Sequence, residues 1–204
     1  MSDYTTIMFD FGGVVAAEGF RTGLEAIGGE HGLDPAETFR LGKEIVFDGG
    51  YVVGAVDEAA YWNEFRRRTG IVASNTELRR HILDRFRPYP EMLAALARLR
   101  QLGFTLVMVS DQTNWLDELN ERHQFFPLFH RVFNSYHHGR SKRDSRFFIE
   151  VLAELNSPPA AAIFLDDDPG NVERAQSVGI NTVLVTSPRQ ALKELAQILG
   201  VIDL

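Results

Sequence analysis

The chain has 204 residues, of which 21 are basic and 28 acidic, so its formal net charge is −7. Its composition, 45% hydrophobic and 24% charged, is that of an ordinary globular protein and excludes intrinsic disorder and fibrous repeats. The sequence contains no cysteine, which excludes disulfides, thiolate metal sites and cysteine nucleophiles. The negative charge argues against a nucleic-acid partner, because such binding needs a basic face.

The sequence also argues against a membrane partner. No apolar run approaches the ~20 residues that a membrane span requires. Residues 1–4 have neither the basic region nor the small-residue cleavage site of a signal peptide. We therefore expect a cytoplasmic protein, with one domain or one domain that carries an insertion.

Short, unbroken apolar runs recur along the chain and predict strands that are buried on both faces, as in a parallel sheet. The first run is Thr6-Ile7-Met8-Phe9, which ends at Asp10. Four later runs resemble it, at residues 105–109, 131–134, 161–165 and 182–185.

Helical patterns lie between the later strands. Pro90 opens a predicted helix that continues to Gln101, and an apolar stripe at helical spacing runs from Phe147 to Leu155. Ser187 is a predicted N-cap of a last helix, which ends before Gly200. This alternation predicts a doubly wound, Rossmann-like α/β fold with a parallel sheet.

Residues 18–87 interrupt the alternation with amphipathic helical patterns at 25–31, 36–47, 58–69 and 75–85. We therefore expect an α/β core formed by residues 1–17 and 88–204, with residues 18–87 as a small helical cap over the carboxyl edge of the sheet. The cap has an aromatic stripe that we expect to pack within it, with the alternative that some members line a substrate entrance: Phe47, Tyr61, Trp62 and Phe65.

Several polar residues follow the predicted strands, at the edge where open α/β sheets bind ligands. They are Asp10, Ser110-Asp111 and Asp166-Asp167-Asp168, and Lys142 lies in a polar segment before a predicted helix. Clustered carboxylates repel one another unless a cation joins them, and oxygen ligands favour Mg²⁺. A Mg²⁺ ion and a lysine could together hold a phosphate and leave a carboxylate free to attack it.

Some polar residues near these motifs have a structural interpretation. Asp168 precedes Pro169 and a helical run, so we expect it to cap that helix. Gly13 is expected to serve close packing or a positive φ. Four histidines match no familiar metal-ligand spacing and are expected in loops or at the surface: His123, His130, His137 and His138.

Four motifs together resemble the haloacid dehalogenase (HAD) superfamily. Residues 7–15, Ile-Met-Phe-Asp-Phe-Gly-Gly-Val-Val, resemble its first motif, and Val-Met-Val-Ser at 107–110 resembles its second. Lys142 resembles the third motif, and Ile-Phe-Leu-Asp-Asp at 163–167 the fourth. The motifs occur in the right order over nearly the whole chain, and the insertion lies where this superfamily carries its C1 cap. The pattern is similar to bacterial sugar-phosphate phosphatases and to the N-terminal phosphatase-like domain of epoxide hydrolases.

The resemblance implies a Mg²⁺-dependent phosphatase that acts on a small phosphorylated metabolite. Asp10 would be the nucleophile that forms an aspartyl-phosphate, and it would also bind Mg²⁺. The backbone carbonyl of Gly12 and the carboxylate of Asp167 would be further metal ligands, with Asp166 in the inner or outer shell.

The same resemblance implies how the phosphate is held. Ser110 would hydrogen-bond the transferring phosphoryl group, and Lys142 would offset the charge of the nucleophile and the phosphate. Asp111 stands where related phosphatases often have asparagine, and it would contact the substrate.

Two positions depart from the family pattern. Most HAD phosphatases have a second aspartate two residues after the nucleophile, which acts as general acid to the leaving group and general base to water; here that residue is Gly12. Arg143 stands where proline usually follows the lysine. These departures favour one alternative, a catalytically weak binding or regulatory module that keeps the fold. A dehalogenase-type hydrolase that attacks carbon is another alternative, and the sequence leaves open a monomer or a homodimer.

Overall fold

Five parallel strands form a sheet in this computed structural model, which describes residues 4–202 and 204. The strand order is β3-β2-β1-β4-β5, so β1 lies at the centre between β2 and β4. Each predicted strand is present within one residue of its expected bounds: β1 Thr6–Phe9, β2 Thr105–Ser110, β3 Arg131–Asn134, β4 Ala162–Asp166 and β5 Asn181–Leu184.

Four helices follow β1: α1 Gly19–Glu30, α2 Pro35–Asp48, α3 Glu58–Thr69 and α4 Asn75–Leu83. Side chains at their N-termini accept hydrogen bonds from the otherwise unpaired first amides, as Asp57 does from Ala60 and Ser74 from Glu77. The first pattern at 25–31 was too short, since α1 begins at Gly19, six residues earlier, and is capped by Glu18. The division of the chain into a core and a cap stays a prediction.

The remaining helices lie between or after the strands: α5 Pro90–Gln101, α6 Trp115–His123, α7 Ser135–His138, α8 Arg146–Glu154, α9 Pro169–Ser177 and α10 Pro188–Leu199. The sequence predicted α5, α8, α9 and α10, whereas α6 and α7 were not expected. Side chains of β1 are buried on both sides of the sheet, with Ile7 and Phe9 in one apolar cluster and Met8 in another. A strand covered on both faces needs a continuous apolar run, which is why β1 was recognisable in the sequence. No helix in the described part of the chain is long and apolar enough to cross a membrane.

Aromatic side chains join the helices after β1 to the helices around the sheet. Tyr61, Trp62 and Phe65 are buried and in mutual ring contact, as expected for packing within the predicted cap. The ring of Trp115, on α6, stacks against Trp62 at 5.8 Å between centroids. Glu58 accepts hydrogen bonds from both indole nitrogens, at 3.0 and 2.9 Å. The cluster therefore fixes α3 against α6, a contact that was not predicted from the sequence.

Histidines lie at or near the surface, in agreement with their expected role. His123, His130 and His137 are exposed, and His138 is half-buried. His137 pairs with Asp117, and His138 with an acidic residue of α8.

Candidate active site

Asp10 follows the central strand, and three donor groups contact one oxygen of its carboxylate. The backbone N–H of Phe11 and the hydroxyl of Ser110 both donate to Asp10 Oδ1 at 2.7 Å, and Lys142 Nζ lies 2.9 Å from the same oxygen. Ser110 reaches Asp10 because β1 and β2 are parallel neighbours, with Phe9 beside Met108. Among the described residues no hydrogen bond reaches Oδ2, so this oxygen is the one available to a reacting partner.

Lys142 is completely buried, although it lies in a polar segment between half-buried Ser141 and exposed Arg143. Its ammonium lies between two carboxylates, 2.9 Å from Asp10 Oδ1 and 2.6 Å from Asp166 Oδ2. Burial disfavours the charged form, but the carboxylates of Asp10, Asp166 and Asp111 outweigh that effect and raise the pKa of Lys142 above its usual value. The side chain is therefore a fixed positive charge in the site.

The backbone of Lys142 is also held in place. Its N–H donates to Asp111 Oδ1 at 2.9 Å, and its carbonyl accepts from Arg174 Nε at 2.7 Å. The guanidinium of Arg143 lies 3.7 Å from the centre of the Phe47 ring and also pairs with Asp48. Arg143 stands where proline usually follows the lysine in this family pattern. Its contacts with Phe47 and Asp48 hold the segment around Lys142 and join it to α2.

Asp111 has a structural task besides any contact with substrate. Its carboxylate accepts the hydrogen bond from the backbone of Lys142, and it lines the cavity described below. Burial raises the pKa of Asp111 to about 6, against the opposing charge of Lys142. The expected substrate contact stays a prediction.

Three aspartates end β4 and the turn that follows it. The oxygens of Asp166 accept hydrogen bonds from Lys142 Nζ, from the side-chain amide of Asn171 and from the backbone of Asp168. Asp168 itself caps α9 and accepts from two backbone amides, as predicted. Burial and the nearby carboxylate of Asp10 raise the pKa of Asp167 to about 6.

Asp10, Asp166 and Asp167 form an acidic cluster. Each offers one carboxylate oxygen, and these atoms lie within 4.8 Å of one another. Hard oxygen donors at this spacing fit Mg²⁺, which takes carboxylate ligands and keeps several waters. The residues present therefore fit the metal that the sequence predicts.

Gly13 allows the loop after β1 to pack against this cluster. Its φ is +79°, and a Cβ atom there would lie 2.3 Å from Asp167 Oδ2. Both expectations for Gly13, close packing and positive φ, are confirmed. A side chain at this position would have to displace the carboxylate.

Replacing Gly13 by alanine should weaken Mg²⁺ binding by about 10- to 100-fold, because the carboxylate of Asp167 must move. It should also destabilise the fold by about 1–2 kcal/mol through the left-handed backbone. Calorimetric titration with Mg²⁺ and denaturant unfolding measure the two effects. Gly70→Ala is the matched control, since Gly70 has φ +74° and no atom within 4 Å of its Cβ position. Equal Mg²⁺ affinity in both variants would contradict the proposed metal site.

A cavity of about 250 Å³ lies above these residues. Its floor is formed by residues at the sheet edge, among them Asp10, Gly12, Lys142 and Asp167. Its other wall comes from α1, α2 and the segments beside them: Glu18, Phe20, Arg21, Phe39, Lys43, Val46, Phe47 and Val52. The predicted cap therefore contributes directly to the site.

Most residues of this second wall were not predicted from the sequence. Of the four aromatic residues considered as possible lining, Phe47 lines this cavity, and Tyr61, Trp62 and Phe65 are not among its lining residues. Phe39, Lys43 and Phe47 are spaced by four residues and so lie on one face of α2, a pattern that could have identified that wall. Glu18 was not predicted as a site residue either. Burial raises the pKa of its carboxyl group to about 7, and the negative charge of Asp167 raises it further, while the hydrogen bond from the backbone of Arg21 lowers it.

Comparison with known proteins identifies the class that this fold and site define. The family of haloacid dehalogenase-like hydrolases matches residues 4–179. The chain belongs to this family of hydrolases, as the motifs suggested.

Among curated relatives, the sesquiterpene phosphatase astK of Aspergillus oryzae is 31% identical over 170 residues, which cover 82% of this chain and 75% of that protein. Mouse acyl-CoA dehydrogenase family member 10 is 28% identical over 97% of this chain but only 19% of its own length. Rat bifunctional epoxide hydrolase 2 is 32% identical over 53% of this chain and 21% of its own. The chain thus spans about a fifth of the length of these last two relatives.

Solved structures share the fold. A HAD-like family hydrolase from Porphyromonas gingivalis superposes with a TM-score of 0.79 at 20% identity, over 97% of this chain and 98% of that one. A HAD family enzyme from Bacteroides thetaiotaomicron, in complex with magnesium and inorganic phosphate, gives a TM-score of 0.71 at 17% identity, over 90% of this chain and 96% of that one.

Proposed function

We propose that this protein is a Mg²⁺-dependent phosphatase that releases phosphate from a small organic phosphate through an aspartyl-phosphate at Asp10. The observation that carries the proposal is the environment of Asp10. One carboxylate oxygen is fixed by three donors, and the other, beside the cavity, receives no hydrogen bond from the residues that the structure describes. An anchored carboxylate with one unengaged oxygen is suited to nucleophilic attack.

Each site residue then has a definite task. Ser110 and Lys142 orient Asp10, and the ammonium of Lys142 also offsets negative charge when a phosphate lies beside the carboxylate. Asp111 and Arg174 position Lys142 through its backbone. When bound, Mg²⁺ would supply further neutralisation of the phosphoryl oxygens.

Asp10, Asp167 and the carbonyl of Gly12 would hold the metal directly. Asp10 would bind it through Oδ1, where the metal would replace the hydrogen bond from Ser110 and leave that hydroxyl to donate to a phosphoryl oxygen, while Oδ2 stays free to attack. Both oxygens of Asp166 already accept hydrogen bonds, which favours an outer-shell position for this residue. In this proposal residues 1–17 and 88–204 are the catalytic core, and residues 18–87 are the cap.

The cavity wall suggests the kind of substrate. Phe20, Phe39 and Phe47 present aromatic surface opposite the carboxylates, and Lys43 and Arg21 add positive charge. An apolar wall with few polar groups binds an organic body of similar character. The relative named as a sesquiterpene phosphatase is consistent with a phosphate ester that has an apolar body.

A panel of phosphometabolites and aryl phosphates, assayed with Mg²⁺ and with a chelator, tests the proposal. We expect phosphate release with Mg²⁺ and loss of that release with the chelator, since the carboxylate cluster then lacks its cation. Tight binding of phosphate analogues without turnover of any compound would instead identify a binding module. Halide release from haloacids in the presence of chelator would identify a dehalogenase.

A further inference from the structure

Glu18 brings a carboxylate to the space beside Gly12. It is the residue that caps α1, where its Oε2 accepts a hydrogen bond from the backbone of Arg21 at 2.6 Å. Its other oxygen, Oε1, lies 3.7 Å from the position that a Cβ atom on Gly12 would occupy. An aspartate at position 12 would extend its carboxylate from that same point. Glu18 therefore reaches, from the start of the helical insertion, the region that a side chain at position 12 would fill.

The other carboxylates of the cavity are already committed. Asp10 is the proposed nucleophile, Asp167 a proposed metal ligand, and Asp111 holds the backbone of Lys142. Asp168 caps α9. Glu18 lines the same cavity, and within residues 4–202 and 204 no hydrogen bond involves its Oε1, while the bond from the Arg21 amide to Oε2 fixes the orientation of the side chain.

We propose that Glu18 is the general acid and base of the reaction, in place of the side chain that Gly12 lacks. The inference rests on the proposed phosphatase function. In the first step Asp10 Oδ2 bonds to phosphorus, the bond from phosphorus to the ester oxygen breaks, and that oxygen takes the proton of Glu18. In the second step water gives a proton to the Glu18 carboxylate and attacks phosphorus, and the bond from phosphorus to Asp10 breaks. Both carboxyl groups return to their starting state.

Two substrates of similar size separate this role from a structural one. p-Nitrophenolate leaves readily without a proton, whereas the p-nitrobenzyl alkoxide must take a proton as it leaves. We expect Glu18→Gln to slow single-turnover cleavage of p-nitrobenzyl phosphate by about 10²- to 10⁴-fold, the usual effect of losing a positioned acid. The rate of single-turnover release of p-nitrophenol from p-nitrophenyl phosphate should differ by less than about tenfold between Glu18→Gln and the parent. Steady-state turnover should then fall because the phosphorylated enzyme accumulates.

A second variant tests whether a carboxylate at position 12 can replace that of Glu18 as the general acid. A Cβ on Gly12 would meet Phe86 at 3.4 Å and both Gln112 and Glu18 at 3.7 Å, which are ordinary contacts, so position 12 has room for a Cβ atom. Gly12→Asp in the Glu18→Gln background should recover about tenfold or more of the lost p-nitrobenzyl activity. Glutamine can still accept the bond from Arg21, and Asp57→Asn, which alters the cap of α3, is the control for loss of a cap carboxylate.

The outcomes are distinct. If the parent cleaves both esters and Glu18→Gln matches it, the role of Glu18 is overturned and the phosphatase proposal stands. Equal losses on both esters, without recovery by Gly12→Asp, would mean a structural role and would also overturn the inference. A parent that cleaves neither ester, nor any member of the phosphometabolite panel, would overturn both proposals.

Discussion

Asp10→Asn should lower phosphate release by about 10⁴-fold or more, the scale on which loss of a nucleophile acts. Asparagine keeps an oxygen that can accept from Phe11, Ser110 and Lys142, so the local geometry should persist. Its nitrogen replaces the free carboxylate oxygen and cannot form the aspartyl-phosphate. The measurements are kcat/KM for p-nitrophenyl phosphate with Mg²⁺ and acid-quench detection of phosphate on the protein.

Asp34→Asn is the control for this prediction, because asparagine can cap a helix as well as aspartate does and α2 should be unchanged. It should retain the parent's rate. Equal rates for the parent and Asp10→Asn would exclude covalent catalysis at this residue. A parent that turns over without any trapped phosphate would also contradict the proposed intermediate, whichever substrate is used.

The core of the fold could be predicted because its strands are buried on both faces. The run Thr6–Phe9 has no polar interruption before Asp10, and the structure places it at the centre of the sheet. The beginning of α1 could not be predicted from the same kind of pattern. Gly19 and Gly23 look like breaks in a helix, yet added Cβ atoms would lie 2.6 Å from Phe86 and 2.7 Å from Ile82. These glycines allow α1 to lie close against the segment around α4.

The site was predictable to the extent that it depends on strand ends. Asp10, Ser110 and Asp166 come together because parallel strands share one carboxyl edge. The depth of Lys142 was not predictable, because a charged segment around it resembles a surface loop. Its burial depends on how that segment folds over the sheet edge. Glu18 was missed for a related reason, since only the fold of the chain brings its side chain back to Gly12.

Lys142→Met should remove activity and destabilise the protein by about 3–5 kcal/mol, the usual cost of breaking a buried ion pair from one side. Methionine can fill much of the volume, so the main effect is electrostatic. Asp166 is fully buried, and its Oδ2 would lose an ammonium at 2.6 Å. Asp10 would lose one of its three donors and the positive charge beside the reacting group. Denaturant unfolding and phosphate release with Mg²⁺ measure the two losses separately.

The double variant Lys142→Met/Asp166→Asn distinguishes an ion pair from simple packing. It removes both charges of this pair, so Asp166 is no longer an unpaired buried carboxylate, although Asp10 still lacks the ammonium. Part of the lost stability should therefore return, while activity should not. Lys193→Met, at an exposed position on α10, should change stability by no more than about 0.5 kcal/mol. If Lys142→Met were as stable as the parent, the buried pair would contribute nothing to the fold. If the double variant were no more stable than the single one, the loss would come from packing around the lysine stem, and the electrostatic account of this site would be wrong.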